Sequence, residues 1–513
     1  MLKSSLVVNL ATLLVSLVGF VNQIVLAKLF GASISMDAYL ISLSAPMLVS
    51  GIVSAGIGYT TVPAMMIHKS NLEEYRRFSG LLLISLTAIS AAISIAGFLA
   101  APAQIAILGA SLPSATQRQA IEIARLAWIT AGVMIVAAYF KAVHNAANRL
   151  LLATAAGIVP FLTMIAAGLL FADSFGPVAV AWGMLLGFLL VIPLLWLHAR
   201  SDIEISAKCL RLAKSVAEYL SRAPLILLAM LCFTVFQSID AYWAPQIGTG
   251  NLAYLGYCHR LLVAIGNLLI VGPSAAILPR LAAAHADGRI DDLLRDSLRA
   301  LRMVFVIAVP IALAVSVLAT PIVQILFERG AFDHRATQAV AALLPPMMFG
   351  MAAMLCIVIV CRALFARHDN LWASMLGIFT TVLYFFFSAI LSKKMGATGI
   401  ALSYALTWWL MLALSIVILW RGHLDLFFRK ETGLFVGRIA VLTGLTGAVL
   451  TVGAELIKLA NTEGWMLLFL LGIVAVTVTG CFLFLAIRAL RLEEIRLLYA
   501  FLISKLALLR HRT

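Results

Sequence analysis

The stretch Val18–Pro46, VGFVNQIVLAKLFGASISMDAYLISLSAP, runs apolar to a turn at Gly31, passes a few small polar residues, and turns apolar again. Its charges are Lys28 and Asp37, one on each side of the turn. The hydrocarbon of a bilayer takes about 20 residues of α-helix to cross. Two apolar runs of that length around a short turn make a transmembrane hairpin. Working outward, the first run is Leu6–Leu29 and the second Asp37–Met66, and twelve more of the same kind follow. They are Phe78–Ala101, Ile121–Val143, Leu151–Ala172, Gly176–His198, Ser221–Pro245, Ala253–Arg280, Arg302–Phe327, Thr337–Phe365, Leu371–Leu391, Gly396–Trp420, Phe435–Leu459 and Gly464–Arg488. The expected fold is therefore an all-α integral membrane protein with 14 transmembrane helices.

Composition agrees with that reading. Of 513 residues, 63% are hydrophobic and 12% charged, with a mean hydropathy of +1.07. Soluble domains run at about 45–50% apolar and about 25% charged, so a soluble protein is excluded, and so is a disordered one. The first run is too long for a removable signal peptide and lacks a small-residue exit. Six cysteines form no CxxC pair and sit mostly inside apolar runs, as small core residues do.

The net charge of +15 would suggest nucleic acid in a soluble chain, but here the basic residues mark topology. With the N-terminus inside, eight of the 37 Lys and Arg fall outside: Lys28, Arg118, Arg125, Arg329, Arg335, Lys393, Lys394 and Lys458. Arg260 lies within a span and the remaining 28 are inside. That asymmetry places both termini in the cytoplasm.

The hairpin is also half of an internal repeat, a pattern common in transporters. YWAPQIGTGNLAYLGYCHRLL, Tyr242–Leu262, resembles Leu26–Pro46: each has a glycine turn, small polar residues and a tyrosine early in the next helix. Spans one to six (residues 1–198) and seven to twelve (221–420) are thus expected to be pseudo-repeated six-helix lobes. Residues 199–220 read as a basic amphipathic linker on the inner surface, 421–488 as two added spans, and 489–513 as an amphipathic tail. Leu281–Arg302, acidic early and basic late, suits a helix dipole and reads as a surface helix on the inner face.

Ionisable residues inside spans mark function. Asp240 in span seven and Arg260 in span eight qualify. They either neutralise one another or divide the work, with Arg260 anchoring an anion through its planar fork and Asp240 binding a coupling cation or holding Arg260. His259 reads as a packed core residue, and Tyr384–Phe387 as packing. No Walker loop, HExxH or G-x-S-x-G motif is present, so the chain is not expected to be an enzyme or to use a cofactor.

VGFVNQIVLAKLFGASISMDAYLISLSAP, LPRLAAAHADG and ILFERGAFD (Ile325–Asp333) together resemble the MviN/MurJ family of lipid II flippases, within the superfamily of multidrug, oligosaccharidyl-lipid and polysaccharide exporters. The resemblance implies an undecaprenyl-pyrophosphate-linked saccharide moved from the inner to the outer leaflet by alternating access. It implies a polar cavity for the headgroup, and a groove for the lipid tail beside spans thirteen and fourteen. It also implies a bacterial inner membrane; sodium or proton coupling is the reading that Asp240 leaves open. The expected partners are that substrate and membrane lipids, with no nucleic acid and the protein a monomer.

The family's cavity arginine of span eight matches Arg260, and its outer-end aspartate of span two matches Asp37. At its other cavity arginines this chain has Ser16, Asn22 and Ser50. Lys28, Lys141, His144 and Arg149 are possible replacements near helix ends. A lipid-linked exopolysaccharide repeat is the alternative cargo. A cation-coupled drug exporter and a polytopic glycan polymerase or acyltransferase are the other classes. Drug exporters normally have twelve spans, and the longest outer loop, Pro102–Ala120, offers only Arg118 as a charge for enzymatic work.

Overall fold

The structure, a computed structural model, describes residues 2–206, 209, 212–367, 369–428 and 430–460, with scattered positions between 470 and 482. Among the described residues every element is helical: α1 Leu2–Phe30, α2 Ile34–Ile67, α3 Leu72–Leu108, α4 Ser114–Ala146, α5 Leu150–Ala155, α6 Ile158–Phe175, α7 Pro177–Ala199, α8 Ala213–Thr234, α9 Phe236–Ile247, α10 Asn251–Ala286, α11 Ile290–Val317, α12 Ala319–Phe327, α13 His334–Ala366, α14 Asn370–Leu419, α15 Leu424–Phe427 and α16 Lys430–Ala460. Ten described helical stretches are long and apolar enough to cross a membrane. One of them, within α14, holds the expected spans eleven and twelve, separated at Gly396 by φ 61° and ψ −141°. Only glycine adopts such a conformation without strain. The expected span fourteen lies almost wholly, and the tail 489–513 wholly, outside the described residues.

Several apolar runs that read as one helix are broken. Span five is α5 and α6, parted at Ala156–Gly157, and span seven is α8 and α9, parted at Val235. Span nine ends in the short α12 after a break at Leu318. The expected surface helix Leu281–Arg302 is instead the end of α10 and the start of α11, joined by a turn at Asp287–Arg289. There the acidic residues open α11, and Arg289 pairs with Asp287 at 2.6 Å and with Asp292 at 3.2 Å. The expected linker helix 199–220 also resolves differently. A 3-10 turn at Arg200–Asp202 leads into an extended Ile203, and Glu204 N–H donates to the Arg76 carbonyl at 3.0 Å. The backbone here crosses Gly80 of α3 so closely that a Cβ at residue 80 would collide with the Glu204 carbonyl. The α-helix α8 begins at Ala213.

By its contacts the chain divides into two compact units: residues 1–260, 327–336 and 374–400 in one, and 261–326, 337–373 and 401–513 in the other. The division cuts the chain differently from the sequence repeat. In the first unit α4 is the central helix, packed by α2, α3 and α7. Its C-terminal half joins a core that includes Phe78, Leu82, Ile135, Tyr139 and Leu195. Tyr139 carries its hydroxyl into that core and donates to the Ser79 carbonyl at 2.7 Å. The α6–α7 contact is built on small residues. A Cβ at Gly183 would come within 2.7 Å of the Thr163 carbonyl, and one at Gly187 would strike the Pro160 backbone. Such close approach is how membrane helices gain packing energy without a hydrophobic driving force.

The turn inside Val18–Pro46 is closed by the segment 327–336. Ala331 N–H donates to the Lys28 carbonyl at 2.9 Å. Gly31 has φ +54°, and a Cβ there would collide with the Ala331 carbonyl, so both backbone and space require glycine. Phe327 and Phe332 sit 5.2 and 5.1 Å from the Tyr257 ring, whose hydroxyl donates to the Gly31 carbonyl at 2.8 Å. The LFERGAF motif is thus an architectural clasp.

In the second unit α13 is the most enclosed helix. A Cβ at its Gly350 would lie 2.8 Å from Ala405 Cα. α11 packs on α16 through Val306, Phe435, Ile439 and Leu442. There Arg302 donates to the Thr432 hydroxyl at 2.7 Å and lies 5.4 Å from the Phe435 ring centroid.

Candidate functional site

The first unit contains a hollow of about 50 Å³, room for a few waters, framed by α1, α2, α9 and the start of α10. Met36, Leu40, Leu43 and Met47 of α2 form its apolar wall. Gln23, Ser44, Gln237, Asp240, His259 and Arg260 supply polar groups. The break at Val235 sets α9 apart as a short helix that carries Gln237 and Asp240. Its Ser238 hydroxyl donates to the Ser44 carbonyl at 3.1 Å, tying α9 to α2.

The start of α10 is fixed from α2. Asp37, 2% exposed, accepts N–H groups of Gly250 at 2.5 Å and Ala253 at 2.9 Å. Those are orphan donors at a helix N-terminus, where a carboxylate is favoured. Nine residues on, at 1.5 Å each, Arg260 stands about 14 Å along the helix. It is partly exposed and lines the hollow. The Tyr39 hydroxyl lies within its electrostatic reach, and among the described residues that buried hydroxyl has no hydrogen-bond partner.

Asp240 does not neutralise Arg260. His259 Nε2 lies 2.7 Å from Asp240 Oδ2, and the Tyr384 hydroxyl of α14 donates to Oδ1. Asp240 is 1% and His259 6% exposed. A buried carboxylate is tolerable only when paired and hydrogen-bonded, and these two donors meet that need. Among the described residues no carboxylate pairs with Arg260, which lines the hollow. His259, read from sequence as packing, is thus the carboxylate's partner. Tyr384, read as part of an aromatic run, contributes its hydroxyl while its ring packs 4.5 Å from Phe236. The signal that could have found both was Asp240 itself, since an intramembrane carboxylate demands donors and imidazole and phenol are the nearest in chemistry.

Of the residues singled out in the sequence, the structure brings Arg260 and Asp240 to one hollow. Ser16, Asn22, Asp37 and Ser50 are not among its lining residues. Asp37 is engaged as the helix cap. Asn22 is 1% exposed, beside the lining Gln23, and its amide meets no partner among the described residues. Ser50 turns back on the Met47 carbonyl at 3.4 Å, and Ser16 is partly exposed. Of the possible replacements, Arg149 pairs with Asp202 at 2.9 Å and His144 bonds the Phe140 carbonyl at 2.9 Å.

Among solved structures, a lipid II flippase MurJ in an inward closed conformation superposes with a TM-score of 0.76 at 16% identity, covering 94% of this chain and 99% of that one. An inward-facing multidrug resistance MATE family transporter gives 0.68 at 14%, covering 81% and 96%. At these identities the likeness is one of fold. In sequence, a probable lipid II flippase MurJ of Haemophilus influenzae is 24% identical over 512 residues, 93% of this chain and 98% of that protein. One of Rhizobium meliloti is 24% identical over 441 residues, 82% and 81%. The family model described as lipid II flippase MurJ matches residues 26–483, and the chain belongs to that family.

Proposed function

We propose that this chain carries lipid II, an undecaprenyl-pyrophosphate-linked saccharide, from the inner to the outer leaflet by alternating access, with the diphosphate held at Arg260. The chain is a multi-pass membrane protein and a transporter by family, not an enzyme. The observation that carries the site is Arg260: a guanidinium lining a membrane hollow that among the described residues meets no carboxylate, Asp240 being engaged by His259 and Tyr384. Charge-assisted bonds from such a fork to phosphate oxygens contribute roughly 1.5–3 kcal/mol each. The wider reading has fourteen spans in two lobes, 1–198 and 221–420. Spans thirteen and fourteen, within 421–488, hold the lipid tail, and the linker 199–220 and tail 489–513 lie on the inner face. Both termini are cytoplasmic in a bacterial inner membrane, the protein acts as a monomer, and an ion gradient read at Asp240 drives the cycle.

The test is flipping of a fluorescent lipid II in proteoliposomes. Arg260→Ala is expected to lower the rate by at least about tenfold, corresponding to about 1.4 kcal/mol of lost binding, at unchanged membrane insertion. Arg260→Lys restores a part of it. Wild-type flipping by Arg260→Ala overturns the assignment. A second reading, a lipid-linked exopolysaccharide repeat as cargo, is favoured by Ser16, Asn22 and Ser50, which stand where the family resemblance places arginines. Rescue of cells depleted of their lipid II flippase separates the two: lipid II as cargo requires rescue, and exopolysaccharide as cargo forbids it.

A further inference from the structure

Both oxygens of Asp240 are occupied, one by a ring nitrogen at 2.7 Å and the other by a phenol hydroxyl. Hard metal cations gather shells of oxygen ligands. Among the described residues the partners of this carboxylate are hydrogen donors instead, and no three His, Cys, Asp or Glu side chains converge. Imidazole is the side chain that changes charge between about pH 5 and 8. His259 also borders a water-sized opening, since it lines the hollow together with Asp240 and Arg260.

We propose that the buried His259–Asp240 pair binds a proton, and that this proton, not a metal cation, is the ion taken up when an anionic headgroup enters beside Arg260. The second half rests on the flippase reading above. The charges balance simply. With His259 neutral, Asp240 and Arg260 sum to zero; with His259 an imidazolium they sum to +1, and Asp240 remains its counter-ion. An incoming diphosphate favours the second state, and by linkage the proton favours the diphosphate to the same degree. Among the described residues, these other groups face the pair. Tyr384 faces it from α14, and Cys258 lies within electrostatic reach of Asp240 on α10. α1 and α2 contribute the neutral Gln23 and Ser44 to the hollow, with Tyr39 beyond Arg260. Asp37 is committed to the start of α10.

The experiment uses the full chain in detergent and a short-chain polyprenyl diphosphate as probe. Titration calorimetry in buffers of different ionisation heat counts protons taken up per bound probe. Wild type is expected to take up about one, and to lose affinity by up to about tenfold per pH unit on the alkaline side. His259→Gln keeps a donor for Asp240 but is expected to take up none and to bind independently of pH. Tyr384→Phe removes the other donor and leaves the imidazole in place, so its proton uptake is retained. Equal uptake in wild type and His259→Gln overturns the proposal, as does affinity that follows sodium when it replaces choline at constant pH. A wild type that binds no diphosphate at any pH sinks the flippase reading and the second half with it. The first half is then decided by pH-difference infrared spectra of the unliganded protein. Imidazole bands lost in His259→Gln uphold the proton site, and identical spectra overturn it.

Discussion

Two aspartates buried on apolar helices have opposite tasks, and their neighbours explain why. Asp37 faces two backbone N–H groups at the start of α10, so its charge is spent on the helix end. Asp240 faces an imidazole and a phenol and stays at the edge of the hollow. Asp37→Ala is expected to destabilise by about 1–2 kcal/mol, the usual loss of a helix cap. Asp37→Asn, which still offers one acceptor, loses less. Thermal unfolding in detergent measures both. Arg260 and Asp240 were legible in the sequence because a charge in a greasy run stands out. The partners of Asp240 were not, because adjacency in charge says nothing of direction. His259 and Arg260 are neighbours in sequence yet about 100° apart around the helix, and His259 is the one that meets Asp240.

Elements were legible where hydropathy and geometry coincide, and misread where they part. A run such as Ser221–Pro245 stays apolar through the break at Val235, since transfer from water depends on side chains and not on the path of the backbone. Glycine tells more. On α7, Gly183 and Gly187 leave no space for a side chain against α6. Gly187→Val is expected to cost about 1–3 kcal/mol by overpacking, seen as a lower thermal midpoint and reduced folded yield. Gly433→Val, on α16 where a Cβ meets nothing within 4 Å, should leave both near wild type. The Gly396 bend was readable as a boundary between two runs, but α14 carries on with a single non-helical residue there rather than through a loop.

At the scale of the whole molecule, the alternation of charged loops proposes an inner face for Ser70 and an outer face for Ser114, both exposed. Single cysteines at these positions test it. Ser114→Cys is expected to react with an impermeant maleimide in intact cells, and Ser70→Cys only after permeabilisation. The reverse pattern would turn the topology over. Of the native cysteines, Cys209, Cys258, Cys356 and Cys361 are buried and give little background. The repeat in the sequence located the two glycine turns but not what secures them, because ring packing by Phe327 and Phe332 on Tyr257 joins residues far apart in the chain. That clasp sets an order of events. The turn at Gly31 is among the first made by the ribosome, and Ala331, which closes it, comes about 300 residues later, roughly 15–60 s at ordinary rates of synthesis. Through that interval the leading hairpin waits in the bilayer with its bend unfastened, and a nascent chain stopped short of Phe327 never buckles it.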